Sequence, residues 1–426
     1  MTEREPLRGS VSVPGDKSIS HRAAMLGALS RGTTLIRNYA PGRDCLSTLE
    51  CLRQLGVKVE SQDTTVTVHG LGLAGLSEPR DVLDAGNSGT TMRLLSGILA
   101  GQPFYSVITG DDSLRDRPMK RVVDPLRQMG ASIWGRHGDS KAPLSIKGGS
   151  LSPLVYRMPV ASAQVKSAIL LAGLYAPGET RVAEPAPSRD HTERLLEFFG
   201  ATVIRSHGTV GVKGNPPLQS REVEIPGDIS SAAFLLAAAA IVPGSDVVVR
   251  GVGLNPTRSG FLDVLRAMGA RLEVEPVPAG GPEPSADLRI RYGPLRATVI
   301  QGQAIPGVID EIPALAVVAT QAQGVTLIRD AQELRAKESD RLRVMAQGLV
   351  AMGAQVEELP DGLEISGPTP LHGGTARSCG DHRVAMALAV AALASPDPVN
   401  LEDPECIAIS YPSFFKALAS IGGYPL

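Results

Sequence analysis

The stretch Leu126-Arg-Gln-Met-Gly130-Ala131 decides the fold, because close copies of it recur along the whole chain. Five other stretches place a leucine four residues before a glycine, and those glycines stand at positions 56, 200, 269, 353 and 422. Successive glycines are therefore 74, 70, 69, 84 and 69 residues apart. Each stretch is typical of a helix that ends at a left-handed glycine, and a β-rich segment such as Val57-Lys-Val-Glu60 follows. Repetition of this kind indicates an array of similar supersecondary units.

A second string precedes each of these glycines, by 39, 43, 38, 39, 43 and 41 residues in turn. It consists of a polar head and then an apolar helix rich in Ala and Leu, as in Ala232-Ala-Phe-Leu-Leu-Ala237. A helix that is apolar on most faces is expected to be buried. Each repeat is therefore predicted to hold one buried helix and one amphipathic helix, with strands between them. The six polar heads begin at Lys17, Asn87, Ser162, Ser230, Asp310 and Asp381.

The tripeptide Pro-Gly-Asp divides the repeats into two sets of three, because it occurs at 14–16 and again at 226–228. We predict two similar domains joined by two crossings of the chain. Residues 15–226 would form the first domain, and residues 1–14 together with 227–426 the second. The longest interval between repeat glycines contains a Pro/Gly-rich insertion, residues 276–284, which is predicted to be a surface loop.

Composition excludes several classes of function. The net charge is -2, from 42 basic and 44 acidic residues, so no global basic field exists to bind nucleic acid or an anionic membrane. The N-terminal residues lack the apolar core of a signal peptide, and the longest apolar stretch, residues 232–242, is too short to span a bilayer. The four cysteines show no CxxC spacing and so predict neither a disulfide framework nor a thiolate metal site. We expect a cytoplasmic monomer that binds small molecules and uses no metal or cofactor.

The polar heads of the buried helices are candidate anion sites, because helix N-termini carry unpaired N–H groups and a partial positive charge. Six of them, converging from two domains, would form a cleft for a multiply charged anion. Alternatives remain for individual groups. The run from Lys337 to Arg341 also fits a solvated helix face, and His382, Ser230 and Ser231 also fit capping roles. Lys17-Ser18 is not a nucleotide P-loop, because Asp16 stands where that motif needs glycine.

Several motifs resemble one enzyme family. They are Val13-Pro-Gly-Asp-Lys-Ser-Ile-Ser-His-Arg22, Gly86-Asn-Ser-Gly-Thr-Thr-Met-Arg93, Arg117-Pro-Met, Ala161-Ser-Ala-Gln-Val-Lys166, Arg335-Ala-Lys-Glu-Ser-Asp-Arg-Leu342 and Asp381-His-Arg-Val-Ala-Met386. In this order they resemble the 5-enolpyruvylshikimate-3-phosphate (EPSP) synthase family over essentially the whole chain. The resemblance implies a two-domain inside-out α/β barrel with six βαβαββ repeats, three in each domain.

The same resemblance implies an activity and a set of site residues. The enzyme would move the enolpyruvyl group of phosphoenolpyruvate onto the 5-hydroxyl of shikimate 3-phosphate and release phosphate. The residues implied for shikimate 3-phosphate are Lys17, Ser18, Arg22, Ser162, Gln164, Ser188, Asp310 and Lys337. Those implied for phosphoenolpyruvate are Lys17, Asn87, Gly89, Arg117, Gln164, Arg341 and Arg383.

The resemblance also implies the catalytic groups. Asp310 would take the proton of the attacking hydroxyl, and Glu338, assisted by Lys17 and His382, would protonate the methylene carbon. A tetrahedral intermediate would then lose phosphate. The first domain would carry most shikimate 3-phosphate contacts, and the second would carry Asp310, Lys337, Glu338, Arg341 and Arg383. Such chemistry needs an acid, a base and many cations, because both substrates are anions.

Two departures from the family pattern and two alternatives stand beside this prediction. Ile409 occupies a position where some members have Lys, and Glu333 one where others have Asn. The related enolpyruvyl transferase that acts on UDP-N-acetylglucosamine has Lys-Asn at the position of Lys17-Ser18 and usually a Cys at the position of Asp112. A non-catalytic anion-binding protein of this fold would be expected to lack Asp310 or Glu338.

Overall fold

The computed structural model describes residues 5–206, 208–278 and 280–424, which fall into two compact units. Unit 1 comprises Met1–Asp16, Pro226–Ala279 and Pro284–Leu426. Unit 2 comprises Lys17–Ile225 and Gly280–Glu283. Neither unit is continuous in sequence, because the chain passes between them at the ends of these segments.

Strand β1 (Arg8–Ser12) belongs to unit 1, and the elements that follow it along the chain form unit 2. These elements are α1 (Lys17–Leu29), β2 (Arg31–Arg37), α2 (Arg43–Gln54), β3 (Lys58–Gln62), β4 (Thr65–Leu71), β5 (Leu83–Asp84), α3 (Gly89–Ala100), β6 (Tyr105–Thr109), α4 (Asp112–Asp116), α5 (Lys120–Gln128), β7 (Ser132–Gly135), α6 (Arg136–Asp139), β8 (Lys141–Lys147), β9 (Val155–Arg157), α7 (Ala163–Gly173), β10 (Glu179–Ala183), α8 (His191–Phe198), β11 (Val203–Ser206), β12 (Thr209–Lys213) and β13 (Glu222–Glu224).

The remaining elements return to unit 1. They are α9 (Ile229–Ile241), β14 (Asp246–Gly253), α10 (Gly260–Ala267), β15 (Arg271–Val277), β16 (Ser285–Arg291), β17 (Val299–Ile300), α11 (Ile305–Val308), α12 (Ile312–Thr320), β18 (Gly324–Ile328), α13 (Arg341–Ala351), β19 (Gln355–Leu359), β20 (Gly362–Gly367), β21 (Gly374–Arg377), α14 (His382–Ala392), β22 (Val399–Glu402) and α15 (Phe414–Ser420), with 3-10 helices at Gly302–Ala304, Gln332–Ala336 and Pro404–Ile409.

The sheets repeat one pattern. Unit 2 has three four-stranded sheets, in the orders β13-β2-β4-β3, β5-β6-β8-β7 and β9-β10-β12-β11. Unit 1 has two more, β1-β14-β16-β15 and β17-β18-β20-β19. In all five the first strand is parallel to the second, and the remaining neighbours are antiparallel. In the sixth repeat, within the described residues, β21 pairs with β22 alone.

The two Pro-Gly-Asp segments mark an exchange of first strands. Strand β1 precedes α1 in sequence but pairs with β14 of unit 1, whereas β13 precedes α9 but pairs with β2 of unit 2. The two tripeptides lie antiparallel, with Asp16 N–H donating to Pro226 O at 2.8 Å and Asp228 N–H donating to Pro14 O at 2.9 Å. These two mutual hydrogen bonds hold both tripeptides in unit 1.

The predicted helix types are confirmed. The apolar helices α1, α3 and α7 lie in the core of unit 2, and α9, α12 and α14 lie in that of unit 1. Every residue of α9 is buried, and burying a Leu or Phe side chain contributes about 1.5–3 kcal/mol. The repeat glycines all have left-handed φ values, between 85° and 105°, as C-terminal caps require.

The insertion at residues 276–284 is only partly a surface loop. Pro276 and Pro284 are exposed, but Glu283 is buried. Its carboxylate lies 2.7 Å from Nδ1 of His191 and 3.9 Å from Nε of Arg194. The prediction was therefore wrong for Glu283, because basic partners from distant α8 pair with its carboxylate, as a buried charge requires.

No single helix among the described residues has the length and apolarity needed to cross a membrane. One bent pair, Gly302–Val308 with Ile312–Thr320, meets these criteria jointly, with an angle of 108° at the break.

Candidate active site

The three buried helices of unit 2 begin at predicted site residues. Helix α1 starts at Lys17. Helix α3 is capped by Ser88, whose hydroxyl accepts from Thr91 N–H at 3.1 Å, and α7 is capped by Ser162, whose hydroxyl accepts from Val165 N–H at 3.5 Å. Such helix starts favour anions, because their first N–H groups point outward and the helix dipole is positive there.

Side chains around the start of α3 form two hydrogen-bonded groups. Asn87 Oδ1 accepts from Arg117 Nη2 at 2.8 Å, and its amide donates to Asp111 at 2.7 Å. Gln164 accepts from Arg93 Nη1 and donates to Thr90 Oγ1 at 3.0 Å. The structure thus brings together Asn87, Arg117 and Gln164, three of the predicted phosphoenolpyruvate residues.

Gly89, the first residue of α3, faces the same guanidinium groups. A Cβ added at this position would lie 2.9 Å from Arg93 Nη1 and 3.4 Å from Arg117 Nη1. The backbone of Gly89 therefore lies against both guanidinium groups, and a side chain would occupy the space between them.

The start of α1 carries two predicted cations. Lys17 forms an ion pair with Asp44 of α2, and its side chain is 22% exposed. Arg22 is buried and donates to Ser18 O at 2.8 Å, to Thr192 Oγ1 at 2.6 Å and to Ser167 Oγ at 2.9 Å. These bonds from three helices fix the Arg22 guanidinium, so little of its conformational entropy is left to lose when an anion binds.

Ser188 lies beside a buried ion cluster. Its hydroxyl donates to Glu184, and its carbonyl accepts from Lys166 Nζ at 3.3 Å. Lys166 also lies 2.8 Å from Glu184 and 2.7 Å from Glu193. Burial raises the pKa of Glu193 in spite of the Lys166 charge. The cluster holds the segment that carries Ser188 against α7.

In unit 1, one guanidinium joins three carboxylates. Arg341 is buried at the start of α13, and its Nε lies 2.8 Å from Asp381. Its Nη1 lies 3.5 Å from Asp310, and its Nη2 pairs with Glu338. Burial alone would lower the pKa of Arg341, but the three carboxylates outweigh that effect and raise the pKa above its usual value. The group is therefore a permanent cation.

Asp310 lies among three guanidinium groups. Besides Arg341, Arg258 Nη1 and Arg383 Nη2 each lie 3.9 Å from its carboxylate. Arg383 Nη1 also donates to the Asp310 carbonyl at 3.0 Å. Three guanidinium groups therefore face the Asp310 carboxylate, and a carboxylate is one of the side chains that can act as a general base.

The remaining predicted groups of unit 1 are placed as follows. Lys337 Nζ lies 3.1 Å from Glu333 Oε1. His382 is buried in the first turn of α14, whose cap is Asp381, which accepts from Arg383 N–H at 3.0 Å. A capping role for His382 was therefore wrong, because the shorter carboxylate of Asp381 reaches the free N–H groups.

Two further alternatives are corrected. Asp228, not Ser230, caps α9, and Ser230 instead donates to buried Glu311 and accepts from Arg258. The run from Lys337 to Arg341 is not a solvated helix face, because Arg341 is fully buried.

Burial and the nearby Asp16 raise the pKa of Asp228 to about 6.

Across the described ranges, no group of three or more His, Cys, Asp or Glu side chains is arranged to hold a metal ion.

Comparisons with known proteins identify the family of this chain. The family model for EPSP synthase (3-phosphoshikimate 1-carboxyvinyltransferase) matches residues 1–418. The chain belongs to the EPSP synthase family. Proteins named 3-phosphoshikimate 1-carboxyvinyltransferase from Pelotomaculum thermopropionicum and Desulforudis audaxviator are 57% and 56% identical to it, over 97% and 99% of this chain and 96% and 98% of theirs.

Solved structures confirm the predicted fold class. An EPSP synthase from Acinetobacter baumannii is similar with a TM-score of 0.89 and 44% identity, over 99% of this chain and 97% of that one. The enolpyruvyl transferase NikO from Streptomyces tendae shares the fold, with a TM-score of 0.81 at 21% identity, over 99% of this chain and 96% of that one. The predicted 3-phosphoshikimate 1-carboxyvinyltransferase activity is confirmed, and the two alternative functions are set aside.

Sequence reasoning missed several residues that organise this site in the EPSP synthase fold. Asp44 pairs with Lys17, Arg93 binds Gln164, and Arg258 lies beside Asp310. Arg93 was within a quoted motif but had no assigned role. Asp44 and Arg258 have no local signal, because their partners are distant in sequence.

Proposed function

We propose that this enzyme transfers the enolpyruvyl group of phosphoenolpyruvate to the 5-hydroxyl of shikimate 3-phosphate with Asp310 as base and Glu338 as acid. The observation that carries these roles is the placement of Arg341, which contacts both carboxylates through different nitrogens. A cation at this point keeps two nearby carboxylates in defined positions and offsets their mutual repulsion.

The phosphoenolpyruvate contacts fall in two sets. In unit 2 we propose Lys17, Asn87, Gly89, Arg117 and Gln164, which surround the start of α3 or α1. In unit 1 we propose Arg341 and Arg383. Phosphoenolpyruvate carries a phosphate and a carboxylate, and fork-shaped guanidinium groups suit both. Support comes from the Asn87–Arg117 bond at 2.8 Å and from the bare backbone of Gly89.

Shikimate 3-phosphate binds mostly to unit 2 in this proposal. Its contacts are Lys17, Ser18, Arg22, Ser162, Gln164 and Ser188, with Asp310 and Lys337 from unit 1. The fixed guanidinium of Arg22 and the capped start of α7 support this assignment. A phosphate gains most from such donors when they need no rearrangement on binding.

The chemistry then runs in two balanced steps. The 5-hydroxyl oxygen bonds to C2 of phosphoenolpyruvate while Asp310 takes the hydroxyl proton and Glu338, assisted by Lys17 and His382, protonates C3. In the tetrahedral intermediate so formed, Glu338 takes a proton back from C3 while the C2–O bond to phosphate breaks, and the proton held by Asp310 leaves with the phosphate. The products are the enolpyruvyl ether and inorganic phosphate.

The setting of this activity follows the sequence expectations. We propose a cytoplasmic monomer with small-molecule substrates, without nucleic acid or membrane as a partner. The net charge of -2 supports only the last part, because no global basic field is present to bind nucleic acid or an anionic membrane.

Steady-state assays with both candidate acceptors test the roles. We expect turnover with shikimate 3-phosphate and none with UDP-N-acetylglucosamine. Glu338→Gln should lower kcat on the order of 10²–10⁴-fold with smaller changes in KM, whereas Asp263→Asn, at an exposed carboxylate of α10, should behave as the parent. Near-normal turnover of Glu338→Gln would remove Glu338 from the acid role.

A further inference from the structure

A chain of buried neutral hydrogen bonds connects three helices of unit 2. His21 Nδ1 of α1 lies 2.6 Å from Thr48 Oγ1 of α2, which lies 2.7 Å from Thr91 Oγ1 of α3. Thr91 donates in turn to Ser88 Oγ at 2.7 Å. All four residues are fully buried, so the chain is a feature of the core and not of the surface.

The direction of the chain follows from counting protons. Each threonine hydroxyl has one hydrogen. The Thr91 hydrogen points to Ser88 Oγ at 2.7 Å and to the Asp44 carbonyl at 3.4 Å. Because that hydrogen is directed away from Thr48, Thr91 must accept from Thr48, and Thr48 must then accept from His21 Nδ1–H. His21 is therefore the neutral Nδ1–H tautomer. Burial, with the charges of Lys17 and Arg22, holds the pKa of His21 well below 6.5, which agrees with this state.

The chain of hydrogen bonds ends at Ser88, the residue that caps α3. Ser88 accepts from both the hydroxyl and the N–H of Thr91, at 2.7 and 3.1 Å, and Gly89 follows it. At the other end, His21 lies one helical turn after Lys17 in α1. The four groups thus tie the start of α3 to the helix that carries Lys17.

We propose that His21, Thr48 and Thr91 are positioning residues for the phosphoenolpyruvate site, which hold the first turn of α3 at a fixed place relative to α1. This inference rests on the proposed assignment of Gly89 and Lys17 to phosphoenolpyruvate. None of the three touches substrate. They set where the Gly89 backbone and the Asn87 and Arg93 side chains lie before the donor binds, and so lower the cost of binding.

The test breaks the chain of hydrogen bonds at Thr48, its middle member, which lies on α2 and is not a proposed contact residue. Thr48→Val keeps the shape but removes the hydroxyl, and Thr48→Ser restores it. A matched control is Thr180→Val, because the buried Thr180 hydroxyl of β10 has no hydrogen-bond partner among the described residues. For each variant we would measure kcat, the KM of each substrate and the melting temperature.

Thr48→Val removes two hydrogen bonds, to His21 and to Thr91. We expect it to raise the KM of phosphoenolpyruvate about five- to tenfold, because part of the effect of the two lost bonds falls on the stability of the fold and only part on donor binding. The KM of shikimate 3-phosphate should stay within about twofold. It shares Lys17 and Gln164 with the donor, but its Arg22, Ser162 and Ser188 contacts take no part in the broken bonds. Thr48→Ser and His21→Asn, which keeps a donor near Nδ1, should restore the parent value. Thr180→Val should change neither KM.

Two outcomes would overturn the proposal. One is an unchanged KM of phosphoenolpyruvate in Thr48→Val, whatever its melting temperature. The other is an equal rise in both KM values, which would indicate a general structural role. Arg117→Ala distinguishes failure of the positioning proposal from failure of the site assignment. If Arg117→Ala and Thr48→Val both leave the KM of phosphoenolpyruvate unchanged, the assigned donor site is wrong. If the KM rises in Arg117→Ala but not in Thr48→Val, only the positioning proposal is rejected.

Discussion

Replacing Gly89 with Ala should weaken inhibition by glyphosate, which the resemblance to the EPSP synthase family implies occupies the phosphoenolpyruvate site. The new methyl group would lie 2.9 Å from Arg93 Nη1 and 3.4 Å from Arg117 Nη1. The first distance is shorter than a normal van der Waals contact, so Arg93 must shift. It is the far end of a flexible side chain, so α3 itself can keep its position.

The magnitude follows from these contacts. Overpacking costs about 1–3 kcal/mol, and a movable partner places phosphoenolpyruvate near the lower limit, a loss of about fivefold in affinity. Glyphosate is longer than phosphoenolpyruvate and has less room to shift between the same guanidinium groups. We therefore expect its inhibition constant to rise about tenfold or more.

The assay measures initial rates against phosphoenolpyruvate at several glyphosate concentrations, with shikimate 3-phosphate saturating. Gly149→Ala is the control, because a Cβ at Gly149 would meet nothing within 4 Å. Equal inhibition constants for the parent and Gly89→Ala would show that Gly89 does not line the donor site. Inhibition of the parent that is not competitive with phosphoenolpyruvate would remove the premise.

Three further predictions concern charge. Asp310→Asn should bind both substrates but lose on the order of 10²–10⁴-fold in kcat, and near-normal turnover in the steady-state assay would exclude Asp310 as the base. Because its pKa is raised from 3.8 to about 6, Asp228 makes the fold less stable as pH rises from about 4 to 6. Above pH 6 the free energy of unfolding of Asp228→Asn should therefore exceed that of the parent by up to roughly 3 kcal/mol, so the variant should melt at a higher temperature. A difference in melting temperature that does not depend on pH would contradict this. Incubation with a chelator should leave kcat unchanged, and a loss that one divalent ion restores would show a metal requirement.

The sequence predicts the repeating elements because their signals are local. The glycine caps and the apolar helices depend on residues within a few turns of each other, and both are confirmed. The exchange of β1 and β13 between the units could not be predicted, since it depends on which strand edge each segment meets. The sixth repeat ends its sheet with β21 and β22 in the described chain, where four strands were expected.

The candidate site divides in the same way. Motifs such as Asn87-Ser-Gly89 identified the residues at the helix starts, because polar residues directly before an apolar segment indicate the N-terminus of a buried helix. The partners of those residues were not visible. Arg258 contacts Glu311 across 53 positions, and Lys17 pairs with Asp44 across 27. Such ion pairs form because the tertiary packing brings distant residues together. A sequence with both acidic and basic residues does not reveal which charges will be buried.

The short segment Gly280–Glu283, which belongs to unit 2, has a consequence for dissecting the molecule. The chain passes between the units after Asp16, Ile225, residue 279 and Glu283, so no single cut in the gene separates one complete unit from the other. A fragment of residues 17–225 would lack Glu283, the acid that contacts buried His191 and Arg194. A fragment or circular permutant that is meant to contain all of unit 2 would therefore have to include Gly280–Glu283 as well as Lys17–Ile225. In the natural chain this tetrapeptide of unit 2 is encoded within the sequence of unit 1.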